Sequence, residues 1–149
     1  MESKINQWLS NLSSRFGQKK WQLNHFQCCL NDGDGIPYLT MEWLPNDNLL
    51  LLAFPLGNLE SEGLNAEEKM FELLSLNSHS ELVGKAWIAI GEGRHDYYLM
   101  STINIASSNY NDFEQQWLEI NDLSKLIQFA ITSKMPLMNE NIVEQSVRV

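Results

Sequence analysis

The chain has 149 residues, 44% of them apolar and 19% charged, which is long and apolar enough for one real core and argues against disorder. Nineteen acidic residues against ten basic ones give a formal charge of −9 and a pI near 4.7, so no counterion-release drive favours nucleic acid or anionic lipid. No charged leader precedes a long apolar stretch, and no apolar run approaches a membrane span, so neither export nor membrane insertion is expected.

Ile5, Trp8, Leu9, Leu12 and Phe16 recur at steps of three and four, which predicts an amphipathic first helix with Gly17 as its C-cap. A polar stretch, GQKKWQLN, follows without a clear period. Three strand-like segments come next. His25 to Leu30 places Phe26, Cys28 and Leu30 on one side, and Tyr38 to Leu44 places Leu39, Met41 and Trp43 on one side, with the turn NDGDG between them. The third, NLLLLAFPLG, does not alternate. Every side chain from Leu49 to Phe54 is apolar, and Pro55 and Gly57 are expected to stop the run.

A second helix is predicted near Asn65, where Asn65 and Glu68 match a capping box, with Met70, Phe71, Leu73, Leu74 and Leu76 as its apolar positions. Two further strands, Lys85 to Ile90 and Tyr97 to Ile105, flank the turn GEGRHD. Asp112 and Gln115 match a second capping box at the head of a long helix, whose stripe runs from Trp117 through Ile120, Leu123, Leu126 and Ile127 to Phe129. The order α-β-β-β-α-β-β-α predicts an α+β fold: a twisted antiparallel sheet of about five strands packed with three helices. One domain is expected over residues 1–132, with a loose tail over 133–149.

Reactive constellations are missing from the pattern. Aligning Gly35 of DGDG with the glycine of a calcium loop puts Leu30 and Met41 at the first and last ligand positions, where oxygen donors are required. Gly91 to Gly93 is a lone GxG without the third glycine of a nucleotide site. His25, His79 and His95 lack metal-ligand spacing. The odd spacing of His25 and Cys28 sends their side chains to opposite faces of a strand, so a packed thiol and a surface histidine are expected rather than a nucleophile. Cys28 and Cys29 are adjacent, poorly placed to bridge each other, and fit a reduced cytoplasmic compartment. The reading is of a protein without catalysis, metal or cofactor.

Three stretches carry a resemblance. PLGNL (Pro55 to Leu59) follows the apolar third strand, LLSLN (Leu73 to Asn77) lies in the second helix, and Gly84 opens the fourth strand. With the element order and acidic charge, the chain from Ile5 to Thr132 resembles the class I type III secretion chaperones, the Tir chaperone (CesT-like) family. It departs from that pattern in Ser78 and His79 after Asn77, in the Cys28-Cys29 strand, and in the tail. The resemblance implies a homodimer in the cytoplasm of a Gram-negative bacterium, without nucleotide or metal. Such a dimer holds the N-terminal region of a secreted effector in extended form and delivers it to the export apparatus and its ATPase.

The resemblance also assigns surfaces. Effector binding is expected at Trp8, Leu12, Phe16, Leu39, Met41 and Trp43, and dimer contact at Met70, Phe71, Leu74, Trp87, Ile88 and Ile90. The same fold would equally serve a regulator that sequesters a cytoplasmic partner, and a small ligand-binding domain is a further alternative. Nucleic acid and membrane are not expected partners.

Overall fold

The computed structural model describes residues 1–31, 37–59, 65–79, 85–91 and 96–132. Their elements are α1 (Glu2–Arg15), β1 (Gln27–Asn31), β2 (Pro37–Leu44), β3 (Leu49–Asn58), α2 (Ala66–Ser75), a 3-10 turn (Leu76–Ser78), β4 (Trp87–Ile90), β5 (Asp96–Asn104) and α3 (Tyr110–Thr132). The strands form one antiparallel sheet in the order β1-β2-β3-β5-β4, which makes β1 and β4 its edges. This is the α+β architecture the sequence predicts. The DGDG turn, Gly84, most of the GEGRHD turn and the tail from Ser133 lie outside the described residues.

The strand that does not alternate in chemistry alternates in burial. Leu50, Leu52, Phe54 and Leu56 are buried, while Leu49, Leu51, Ala53 and Pro55 are half-buried. Pro55 and Gly57 lie inside the strand instead of ending it. The Pro55 carbonyl accepts a hydrogen bond from Gln128 Nε2 at 2.6 Å. Gly57 is needed for close approach, because a Cβ there would stand 2.8 Å from the Tyr97 hydroxyl.

Two compact units can be distinguished. One comprises Met1–Leu52 and Thr102–Leu118, the other Ala53–Ser101 and the described residues from Glu119 on. In the first, Ile5, Trp8, Leu9 and Leu12 of α1 are buried, as are Leu30, Leu39, Met41, Leu50 and Phe113. Trp8 stacks on Phe113 with centroids 5.2 Å apart, and Arg15 pairs with Glu114. Helix α1 ends in a Schellman turn. Gly17 has φ +64, its N–H bonds the Ser14 carbonyl at 3.1 Å, and the Gln18 N–H bonds the Ser13 carbonyl at 3.0 Å.

The capping boxes differ from expectation. Asn65 makes no side-chain cap bond, because its φ of −95° and ψ of 8° lie outside the extended region an N-cap requires. At α3 the box lies three residues earlier than Asp112 and Gln115. The Asp112 N–H bonds Asn109 Oδ1 at 2.9 Å, and the Asn109 N–H bonds Asp112 Oδ2 at 3.0 Å. Asp112 is therefore the third helical residue, which moves the start of α3 to Tyr110.

In the second unit, Phe54, Leu56, Leu73, Leu76, Ile88, Tyr97, Leu99, Ile120 and Ile127 make the core. Strand β4 pairs with β5 through Trp87↔Met100, Ile88↔Leu99, Ala89↔Tyr98 and Ile90↔Tyr97.

Candidate protein-binding surfaces

The residues expected to meet an effector divide sharply. Trp8, Leu12, Leu39 and Met41 are buried in the chain's own core. Trp43 is half-buried and Phe16 is 42% exposed. Helical and strand periodicity put these side chains on common faces, and those faces turn inward. What remains accessible is a rim: Phe16, tilted against Trp117 at 5.4 Å, and Trp43, which packs on Phe26 at 5.4 Å. Phe26 is 52% exposed. The Trp43 indole Nε1 is buried and finds no acceptor among the described residues.

Phe26 belongs to a feature the sequence does not announce. The Asn24 N–H bonds the Gln27 carbonyl at 2.7 Å and the Gln27 N–H bonds the Asn24 carbonyl at 3.1 Å, with His25 at φ +52 and Phe26 at φ +69. That is a type I′ turn, normally built from Asn-Gly or Asp-Gly. It folds the segment Trp21–Asn24 back toward the outer edge of β1. The Asn24–Gln27 bridge stands alone. In a regular hairpin the next hydrogen-bonded pair would be Gln22 with Cys29. Instead its backbone N–H bonds the sulfur of Cys28, the Leu23 N–H bonds Asn6 Oδ1 at 2.8 Å, and the Trp21 N–H reaches Ser13 Oγ at 3.4 Å. The segment peels away from β1 and leaves an open cleft of about 420 Å³, with Lys20, Trp21, Gln22 and Asn24 on one wall and Gln27 to Leu30 on the other.

The cleft is not built for nucleophilic chemistry. Burial, then the neighbouring Cys29 thiol, push Cys28 up to about 11, outweighing the opposing hydrogen bond from Gln22. Cys29 is exposed, as is His25. No group of three or more His, Cys, Asp or Glu able to hold a metal occurs among the described residues. No described helix is long and apolar enough to cross a membrane.

The residues expected at a dimer contact lie in the second unit. Phe71 is 70% exposed, Leu74 39% and Trp87 38%; Met70 and Ile90 are half-buried, and Ile88 is buried. Helix α2 thus buries Leu73 and turns Phe71 and Leu74 outward. Asn77, noted in the sequence only as the last residue of LLSLN, has a defined task. Its Oδ1 accepts the Ile88 N–H at 2.6 Å, and its Nδ2 donates to the Ile88 carbonyl at 3.0 Å. Both outward backbone groups of an edge-strand residue are thereby occupied, as an exposed sheet edge requires.

In sequence, residues 7–125 match the model of the Tir chaperone protein (CesT) family. No curated protein matches the chain. Among solved structures, the ExsC–ExsE complex contains a chain that superposes with a TM-score of 0.70 at 20% identity, covering 86% of this chain and 93% of that one. The heterodimeric ExoU–SpcU complex from the type III secretion system of Pseudomonas aeruginosa gives 0.58 at 18% identity, covering 83% and 94%. YbjN from E. coli gives 0.59 at 16%, covering 89% and 92%. At these identities the structural likeness concerns the fold.

Proposed function

The chain belongs to the Tir chaperone protein (CesT) family, and from that premise we propose that it is a cytoplasmic chaperone for a type III secreted effector. It binds the N-terminal region of the effector in extended form, keeps it soluble and passes it to the export apparatus, with the export ATPase as a further partner. The family match over residues 7–125 carries this reading. Solved relatives point the same way, since the ExoU–SpcU complex comes from a type III secretion system.

The two sheet edges suggest how an extended segment is held. The β4 edge is occupied at Ile88 by Asn77, whereas β1 beyond Gln27 borders an open cleft. An extended client backbone would add to β1, and its apolar side chains would meet the aromatic rim of Phe26 and Trp43. Burying about 1,000 Å² of apolar surface would supply roughly 25 kcal/mol gross. Ordering of the client cancels most of it, which leaves capture tight yet reversible without nucleotide. A homodimer closed through Phe71, Leu74 and Trp87 is part of the same proposal. The charge of −9 keeps such a surface in solution.

Capture of the tagged protein from its own bacterium, followed by limited proteolysis of the complex, tests the reading. A protected stretch near the N-terminus of a secreted protein is expected. Recovery of a cytoplasmic regulator instead would move the reading to sequestration.

A further inference from the structure

We propose that the segment Trp21–Asn24, the far wall of the cleft beside β1, is a gate hinged at His25–Phe26 that swings further out and widens the cleft for an extended backbone. The admitted partner rests on the chaperone reading; the gate itself rests on the geometry of the free chain.

Three observations carry it. The hinge holds two residues with full side chains in left-handed backbone, φ +52 and +69, where Gly, Asn or Asp belong. Such conformations are unfavourable and persist only while neighbouring contacts hold them. The attachments of the segment to β1 are few: one isolated backbone bridge and the Gln22 N–H on the Cys28 sulfur. Its other donors go to α1 side chains, one of them at a long 3.4 Å. The far side of the hinge is fixed, because the Phe26 carbonyl accepts the Trp43 N–H at 2.8 Å and Gln27 pairs with Glu42. Relaxation of the turn therefore moves the segment and leaves β1 in the sheet.

The gate also hides a reporter. Cys28 is buried and accepts the Gln22 N–H, while Cys29 beside it is exposed. Cys28 is only 5% exposed, so its alkylation should be slow while the segment is in place and faster once it has left.

The test alkylates Cys28 with iodoacetamide in a Cys29→Ser background, reads the product by mass, and repeats the reaction across low urea concentrations. Opening bares Trp21 and Leu23, which are buried, and parts Trp21 from Trp117, yet exposes far less surface than unfolding, so the rate should rise with urea at a slope well below that of the global transition. His25→Asn, which suits left-handed backbone, should slow the reaction roughly tenfold, and His25→Val should speed it severalfold. A urea slope equal to that of global unfolding, or a rate unmoved by His25→Asn, overturns the gate. No client enters the assay, so failure to capture an effector bears on the chaperone reading alone.

Discussion

Asn77 holds Ile88 by both of its backbone groups, accepting the N–H at 2.6 Å and donating to the carbonyl at 3.0 Å. One side chain thus replaces the neighbouring strand that an interior position of the sheet would have. Asn77→Ala removes two hydrogen bonds and leaves an edge strand unprotected, so it should lower unfolding free energy by about 2 kcal/mol and promote aggregation. Urea denaturation and light scattering measure both. An unchanged urea midpoint would mean that water replaces the amide without cost.

Phe71 is largely exposed on α2. Phe71→Glu should therefore change the stability of a single chain by less than about 0.5 kcal/mol, while halving the solution mass of the proposed homodimer. Sedimentation with circular dichroism separates the two effects. A mutant of unchanged mass would take this face out of the interface.

At Gly57 the cost is steric. A methyl group on this exposed glycine would meet the hydroxyl of the buried Tyr97 at 2.8 Å. Gly57→Ala should cost about 1–3 kcal/mol. Combining it with Tyr97→Phe, which removes the obstructing oxygen, should recover part of that loss. A double-mutant cycle with no coupling would place the strain elsewhere.

Cys28 makes stability depend on alkaline pH. Its folded pKa, about 11, lies above the unfolded value of 9.0, so burial of the neutral thiol contributes stability that is complete below pH 9. That contribution is lost as the pH rises through about 11, because the unfolded chain releases the proton first. Urea midpoints at pH 8 and pH 10.5 should fall further in the wild type than in Cys28→Ala. Equal falls would assign the alkaline loss to other groups.

The architecture was largely legible because periodicity reports which side chains share a face. Ile5, Trp8, Leu9 and Leu12 form one buried stripe, and Leu39 and Met41 one buried strand face. Periodicity does not say whether a shared face meets the chain's own core or a partner. That is why Trp8, Leu12, Leu39 and Met41, expected at a client groove, are instead core. The turn at His25–Phe26 was hidden because neither residue signals left-handed backbone. The pair of hydrogen bonds between Asn77 and Ile88 was hidden because it depends on a strand eleven residues away. At α3 the signal was present but misaligned: Asn109 and Asp112 carry the same spacing as the box sought at Asp112 and Gln115.

Ser13 ties the end of α1 to the segment beyond it. Its hydroxyl donates to the Ser10 carbonyl at 3.0 Å and accepts the Trp21 N–H, while its carbonyl receives the Gln18 N–H of the Schellman turn. Fraying of the last helical turn would release all three together. Residues 13–21 thus act as a single joint, and substitutions that loosen the helix end should reach the sheet edge without touching it.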